Sequence, residues 1–405
     1  MYIQNIGFSG SQLLDEVLVN SAENAILGGG AYAFVSAGGL QIYLEDDKFK
    51  SFIADNEFTL IVGIDEITNI RTLTKLTELE NHYANLTVKV FYKLRGNEIF
   101  HVKFSWFQYQ DGSGKLIIGS GNLTIKGLRK NVEAFTVEDL SVERMTEVKL
   151  YWDSWLTESI EYLKNLDDEI IIAKAIENQN RFRTQRRTTD EVVPIVDEVQ
   201  TNAVMEDEVF PVVDEVQTNQ IIGDEVVPIV DEVQTNPIIE DDIDDDVWNF
   251  DNTNCALIAE IPGSGDRWKQ ANFSKEVFEN FFGIIPNEVG DLRILLRNVN
   301  DAGVLQDIES RPGVSVSSDN HRFELNAGSG IPYPANGAPV GIFIRVALRT
   351  FIYCLVFPDD ANYNNLILFL NANYSGRSNS KKRVMVNCHQ IEDIILESPL
   401  ENLRD

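Results

Sequence analysis

The amino-acid sequence predicts an α/β domain, an acidic linker built of repeats, and a second domain that is mainly β. Three observations support this prediction. Residues 1–180 alternate apolar strand-like runs with helical spacing, residues 181–246 are dominated by an acidic repeat, and residues 247–405 hold short apolar runs separated by Gly, Asn and Pro. The first pattern is typical of helices packed on a sheet, and the last is typical of a barrel or sandwich.

Four segments carry the pattern of the N-terminal domain. Residues 13–36 predict a helix that leads into a strand, and residues 58–65 form a short apolar run with β-branched residues. Residues 67–83 repeat apolar side chains at helical spacing, and residues 86–94 alternate as in a half-buried strand. In the C-terminal domain, four further runs predict strands, at 256–262, 292–299, 341–357 and 365–374.

The linker is an internal repeat. The stretch DEVVPIVDEVQTN occurs at 190–202 and again at 224–236, with DEVFPVVDEVQTN at 207–219, which gives a period of 17 residues. Its prolines and acid pairs disfavour a helix, and we expect an acidic, extended, partly disordered segment. The basic tract at 180–187 suits either a solvated helix end or a clamp for DNA or for the linker.

The net charge of −30 is concentrated in this linker. Residues 190–246 contain 19 of the 64 Asp and Glu residues and no Lys or Arg. The flanking domains are therefore almost balanced, and the net charge excludes nothing about nucleic-acid binding.

The three cysteines are too few and too scattered for a disulfide framework or a zinc site. No run approaches the length of about 18 apolar residues that crosses a bilayer, and the first residues do not resemble a secretory signal. We expect a cytoplasmic protein, without membrane binding, a metal site or a cofactor of its own.

The segment between residues 100 and 135 carries the chemistry. His101 and Lys103 lie two residues apart on a predicted strand and therefore share a face. After a loop at 110–114, the next strand returns antiparallel, which brings Ser120 and Asn122 to the neighbouring strand end.

An imidazole, an ammonium and two neutral donors grouped in this way suit a phosphodiester. Lys103, Ser120 and Asn122 would hold the non-bridging oxygens while His101 attacks phosphorus. Glu133 would accept a hydrogen bond from the other imidazole nitrogen and fix the tautomer that leaves the attacking nitrogen free.

This spacing resembles the HKD motif of the phospholipase D superfamily, and most closely that of its single-motif nucleases. The motif reads H-x-K, here His101 to Lys103, then GSGN at 119–122 and a downstream Glu133. The Asp that the motif carries five residues after the Lys is Gln108 here.

The resemblance covers about residues 1–165 and implies a covalent phosphohistidine mechanism that needs no metal. It implies a nucleophile at His101, a phosphate pocket at Lys103, Ser120 and Asn122, and an orienting carboxylate at Glu133. A second histidine is needed to protonate the leaving oxygen, and only one of the four histidines has the motif around it. A homodimer with two His101 side chains at a shared site would supply it, in agreement with the family.

The order of domains resembles restriction endonucleases of the NgoFVII and BfiI kind, which join a phospholipase D-like nuclease to a B3-like DNA-binding pseudobarrel. That family implies double-stranded DNA as substrate and a cognate DNA methyltransferase in the same system. Its members act alone or with a helicase-like ATPase subunit, and both arrangements stay open. The chain has no GxxxxGK[ST] loop, so any ATP and Mg would act through that partner.

Two polar stretches would correspond to the N-arm and C-arm of the pseudobarrel, at 263–274 and 371–384. Arg, Asn and Gln have geometries that read base edges, while Lys and Ser suit phosphates. The predicted DNA-binding residues are Arg267, Trp268, Lys269, Gln270, Asn272, Arg377, Ser378, Asn379, Lys381, Lys382 and Arg383. The alternative is two solvated hairpin loops.

Sequence-specific endonuclease activity is the favoured interpretation, with two alternatives. A lipid phosphodiesterase is disfavoured because no membrane-binding amphipathic segment is evident, and a non-catalytic DNA-binding regulator because the motif is intact. The acidic linker suits either a solvated spacer or a phosphate mimic that occupies the nuclease groove until target DNA arrives.

Overall fold

The structure is a computed structural model, and several parts of the chain lie outside the residues that it describes. The undescribed residues are 6, 9, 66, 94–98, 191–247, 264–267, 285–291, 313, 316–319, 378–379, 393, 396–397 and 405. Met1–Phe182 and Ile243–Asp405 form one unit, and Arg183–Asp242 form another. Almost all of the acidic repeat falls outside the described residues, and the predicted division into three domains stays a prediction.

The N-terminal half alternates strands and helices, as predicted. Its elements are β1 (Tyr2–Gln4), α1 (Leu14–Ala22), β2 (Ala25–Tyr32), α2 (Ala37–Tyr43), α3 (Asp47–Asp55), β3 (Glu57–Gly63), α4 (Ile70–His82), β4 (Leu86–Phe91), β5 (Lys103–Tyr109), β6 (Gly114–Gly119), β7 (Glu133–Leu140), α5 (Val142–Glu158), β8 (Leu163–Lys164) and α6 (Glu169–Asp190). The backbone of the basic tract at 180–187 is part of helix α6.

Eight strands form one mixed sheet in the order β1-β7-β6-β5-β2-β3-β4-β8. Strands β2, β3 and β4 are parallel neighbours, whereas β5, β6, β7 and β1 are antiparallel to one another in turn. Helix α5 packs on one face of the sheet, where Trp106 and Trp152 are buried. The mixed sheet with packed helices confirms the α/β class predicted for this half.

The C-terminal half is mainly β. Its elements are β9 (Cys255–Glu260), β10 (Gln270–Ser274), α7 (Lys275–Val277), β11 (Arg293–Val299), β12 (Leu305–Pro312), β13 (Val314–Ser315), β14 (Asn320–Glu324), β15 (Val340–Ala347), β16 (Thr350–Val356), α8 (Tyr363–Asn373), β17 (Arg383–Asn387) and α9 (His389–Glu392). Six strands form a sheet in the order β12-β11-β16-β15-β9-β17, and β10, β14 and β13 form another.

The two C-terminal sheets pack through aromatic side chains. Phe273 on β10 contacts Phe343 on β15, with ring centroids 5.8 Å apart, and Phe323 on β14 stacks against Phe273 at 5.4 Å. Because the six-stranded sheet ends at β12 and β17, it is open within the described residues. The predicted barrel closure is not found there, and the B3-like pseudobarrel stays a prediction.

One strand predicted from the sequence is a helix. The sequence predicts residues 365–374 to be extended, but residues 365–373 lie in α8, which ends before Tyr374. Tyr363, Leu366 and Leu370 are buried at helical spacing, while Leu368 is 67% exposed. A short apolar run of this length suits both structures, and here the burial of one helical face decides between them.

Buried ion pairs join the two halves. Arg129 binds Asp15 at 2.5 Å and donates to the Arg293 carbonyl oxygen at 3.1 Å. Arg349 binds Glu16 at 2.8 Å. All five residues are at least 95% buried. The N-terminal and C-terminal halves of this unit therefore share a charged, dehydrated contact.

Candidate functional site

The motif residues lie at one end of the neighbouring strands β5, β6 and β7, where β5 and β7 begin and β6 ends. β5 and β6 pair antiparallel from Phe104 and Ile118 to Gln108 and Gly114, as the sequence predicts. The turn between them includes Gly112 with φ 85°, a conformation that glycine adopts without strain. Ser120 and Asn122 follow the end of β6 directly.

His101 lies just before strand β5 and not within it. The pairing with β2 nevertheless extends past Lys103, because the Ala33 N–H donates to the Val102 carbonyl oxygen at 2.8 Å. The imidazole is exposed and packs edge-on against Phe34, with ring centroids 6.4 Å apart. An exposed ring that packs against one half-buried neighbour is accessible to a substrate.

Phe34 also connects His101 to Asn122. The Phe34 backbone N–H donates to the Oδ1 atom of Asn122 at 3.2 Å. This bond uses the amide oxygen of Asn122 and leaves its NH₂ group to donate to a phosphate oxygen. No sequence pattern pointed to Phe34, because it lies in the connection between β2 and α2, far from the motif in sequence.

Lys103 is buried to all but 9% of its surface. Its ammonium donates to the His101 carbonyl oxygen at 3.4 Å. Burial lowers the pKa of Lys103, and the charge of Glu133 opposes this change. A partly dehydrated ammonium interacts more strongly with a phosphate than one in bulk water does.

Glu133 lies at the start of β7 and accepts two hydrogen bonds. Its Oε2 atom accepts from the Ser120 hydroxyl, and its Oε1 atom accepts from the Asn131 amide at 3.0 Å. The contact with His101 expected from the sequence is not among the hydrogen bonds of the described residues. Strand β6 lies between β7 and β5, which explains why Glu133 meets Ser120 first.

The single hydroxyl proton of Ser120 is therefore directed at Glu133. The Ser120 oxygen also accepts from the Ala134 N–H at 3.0 Å. To donate to a phosphate oxygen, as predicted, Ser120 must exchange its bond to Glu133 for one to the substrate.

The predicted N-arm lies in and beside strand β10. Lys269 and Gln270 both contact Glu324, at 3.7 Å and 3.1 Å, and Asn272 donates to the Gln270 carbonyl oxygen. Arg267 lies outside the described residues. Trp268 is 98% buried, with its indole N–H bonded to a backbone oxygen, so its side chain belongs to the core.

The predicted C-arm begins at the end of helix α8 and ends in the first residues of strand β17. Arg377 and Lys381 are exposed, while Lys382 lies 3.8 Å from Glu260. Ser378 and Asn379 lie outside the described residues.

Arg383 joins the two arms. Its guanidinium donates to the Asn272 carbonyl oxygen and lies 5.2 Å above the Phe273 ring. Burial lowers its pKa. The structure thus brings the two polar stretches together, with Arg383 as the link between them and Arg377 and Lys381 on the surface.

Within the described residues, no helix is long and apolar enough to cross a membrane. The described part of the chain also holds no group of three His, Cys, Asp or Glu side chains placed to bind a metal ion.

Neither a protein-family model nor a curated protein matches the sequence. Solved structures do. NucT from Helicobacter pylori is 16% identical, over 37% of this chain and 88% of its own, with a TM-score of 0.28. The N-terminal domain of Helicobacter pylori LlaJI.R1 is 12% identical, over 33% of this chain and 97% of its own, with a TM-score of 0.24.

A third similar structure is Nuc from Salmonella typhimurium, a phospholipase D family member. It is 13% identical, over 36% of this chain and 87% of its own, with a TM-score of 0.26. All three TM-scores are below 0.5.

Proposed function

We propose that this protein is a phosphodiesterase of the phospholipase D type that cleaves double-stranded DNA. The observation that carries the proposal is the grouping of an exposed imidazole, a partly dehydrated ammonium and an oriented amide around the ends of β5 and β6. His101, Lys103 and Asn122 are connected through Phe34 and the His101 carbonyl group. Such a group suits a tetrahedral anion that is attacked from one side.

The reaction has two steps. A ring nitrogen of His101 forms a bond to phosphorus, and the bond from phosphorus to the leaving oxygen breaks, which gives a phosphohistidine. The leaving oxygen takes a proton from His101 of the partner subunit. That same imidazole then removes a proton from water, whose oxygen attacks phosphorus and releases the nucleophilic nitrogen.

The residues around the phosphate have separate tasks in this proposal. Lys103 and the Asn122 amide hold the non-bridging oxygens, where negative charge increases in the transition state. Ser120 joins them when its hydroxyl turns from Glu133 to the phosphate. Glu133 balances the charge of Lys103, and its predicted role in orienting His101 stays a prediction.

The finer proposal is a sequence-specific restriction endonuclease that works as a homodimer. The C-terminal half would supply selectivity through the stretch that carries Arg377 and Lys381, with a cognate methyltransferase protecting host DNA. A helicase-like ATPase subunit is the partner to test.

Plasmid cleavage by the purified protein in EDTA tests the proposal, with the His101→Ala variant as control. We expect discrete fragments from the wild type and none from the variant, either in EDTA alone or, in a buffer without EDTA, after adding an ATPase encoded by a neighbouring gene together with Mg-ATP. Cleavage retained by His101→Ala would overturn the assignment of the nucleophile. If the protein binds specific DNA tightly but cleaves it in neither condition, the favoured interpretation becomes a DNA-binding regulator.

A further inference from the structure

Asn131 contacts the Glu133 carboxylate from outside the recognised motif. Its side-chain amide donates to Oε1 of Glu133 at 3.0 Å, while the Ser120 hydroxyl binds Oε2. Rotation about the last bond of a glutamate side chain is broad and roughly two-fold, so one donor on each oxygen is what restricts it. Glu133 is therefore held by two donors, and one of them belongs to the phosphate pocket.

The two donors differ in what the reaction demands of them. Ser120 has one hydroxyl proton, and it leaves Glu133 when it donates to a phosphate oxygen. Asn131 remains as the donor that keeps the carboxylate in place during that exchange.

The backbone of Asn131 is fixed on both sides. Its N–H donates to the Lys126 carbonyl oxygen at 2.7 Å, which closes the π-helical turn Lys126–Lys130. Its carbonyl oxygen accepts from the side-chain amide of Gln4 at 3.1 Å. The exposed side chain of Asn131 thus projects from a rigid backbone.

Gln4 is fully buried and uses both ends of its amide. It donates to the carbonyl oxygens of Gly127 and Asn131, and it accepts from the Leu14 N–H at 2.9 Å. On strand β1, Gln4 lies directly opposite Glu133 in the register with β7. The Gln4 side chain on β1 therefore fixes the turn that precedes Glu133, and β1 is also the strand that pairs with Glu133.

We propose that Asn131 is a positioning residue for Glu133 and that Gln4 fixes Asn131. The inference rests on the proposed phosphodiesterase function for its kinetic consequence. Its structural part, the bond from Asn131 to Glu133, is testable independently.

Steady-state hydrolysis of bis(p-nitrophenyl) phosphate by the full chain tests the kinetic part. In Asn131→Ala we expect kcat to fall about tenfold, the effect of losing one hydrogen bond to a charged group, while KM changes less than about twofold. Asn131→Asp has the same size but no donor and repels Glu133, so its kcat falls further than that of the Ala variant. The melting temperature stays unchanged in the Ala variant, because the side chain is exposed.

An unchanged kcat in Asn131→Ala, or an Asp variant as active as the Ala variant, would overturn the positioning role. For Gln4, the Gln4→Met/Asn131→Ala double variant is expected to lose no more activity than Asn131→Ala alone, since Gln4 acts through the Asn131 side chain that this variant already lacks. Additive losses would show that Gln4 does not act through Asn131.

The structural part is read from the side-chain NH₂ signals of Asn131 in ¹H–¹⁵N spectra, identified by their loss in Asn131→Asp. We expect them to shift and to exchange faster with solvent in Glu133→Ala. Signals that do not respond would overturn the contact. A wild-type protein without phosphodiester hydrolysis would count against the proposed function, and this spectrum would still decide the contact.

Discussion

Lys103 shows how a single residue combines a functional advantage with a cost in stability. Its side chain is largely buried and its ammonium is partly dehydrated, which lowers the pKa of Lys103. A base with a lowered pKa in the folded state makes folding less favourable below that pKa, and the penalty disappears as the pH rises above its ordinary value. At neutral pH, Lys103 therefore destabilises the fold while it provides positive charge for a phosphate.

Replacing Lys103 by Met should separate the two effects. We expect Lys103→Met to lose DNA cleavage by about a hundredfold or more, because a pre-oriented charge is removed from the transition state. The melting temperature should stay the same or rise, since the buried charge is gone. Calorimetry and plasmid cleavage measure both quantities.

The control for this variant is Lys115→Met on strand β6, where the lysine faces Asp139 at 3.5 Å on the surface. It should keep full cleavage. A Lys103→Met protein that melts well below the wild type would contradict the stability argument.

At the scale of elements, helix α2 and the loop after β6 approach each other closely. The Ser36 N–H donates to the Leu123 carbonyl oxygen at 3.0 Å, and the Ser36 hydroxyl caps the helix by accepting from the Gly39 N–H at 3.1 Å. A Cβ atom at Gly39 would lie 2.0 Å from the Leu123 oxygen. The absence of a side chain at Gly39 thus allows the helix to fix the loop that carries Asn122.

The Gly39→Ala substitution should therefore weaken both the fold and the site. We expect the free energy of unfolding to fall by about 1–3 kcal/mol, as for overpacked positions, because the clash is with backbone. Cleavage should fall as well, because Asn122 immediately precedes Leu123. Urea titration and plasmid cleavage measure these effects.

Gly7→Ala is the matched control, since its Cβ would meet its nearest neighbour at an ordinary 3.4 Å. Equal stability of the two variants would show that the loop moves without cost.

At the scale of the whole molecule, buried charge joins the two halves. Arg129 lies between Asn122 and Glu133 in the sequence, yet it binds Asp15 on α1 and the Arg293 backbone on β11. Burial raises the pKa of Asp15, and the charge of Arg129 opposes this change. Removing one partner leaves the other charge buried and uncompensated.

We expect Arg129→Met to lower the free energy of unfolding by about 3–5 kcal/mol, the cost of an unpaired buried charge. Arg144→Met is the control, because Arg144 and Glu147 form an exposed pair on α5 whose loss costs about 1 kcal/mol or less. Chemical denaturation of both variants measures the difference. Similar losses would mean that the cluster at the junction adds little to stability.

The proposed DNA interface predicts a salt effect. Replacing the exposed Lys381 by Ala should weaken DNA binding at all sequences and reduce the slope of log K against log salt by about 0.9, if one phosphate contact is lost. Lys50→Ala, which removes the same charge from helix α3, should leave the slope unchanged. Equal slopes for Lys381→Ala and the wild type would show that Lys381 does not contact a DNA phosphate.

The sequence by itself determined the features that depend on local spacing. Strand alternation and a short loop predict the antiparallel pairing of β5 and β6, and helical spacing predicts α4, because both follow from backbone geometry over a few residues. For the same reason, the grouping of His101 and Lys103 near the end of β6 was predictable without knowledge of the rest of the chain.

Only the tertiary structure decided which partners those residues meet. Glu133 binds Ser120 and Asn131 because β6 separates it from β5. Trp268 enters the core, where it packs against aromatic rings that are distant in sequence. The bond from Gln4 to Asn131 spans 127 positions, and the one from Glu16 to Arg349 spans 333. Spacing reports the local period of a chain, whereas such contacts depend on which surfaces pack together when the whole chain folds.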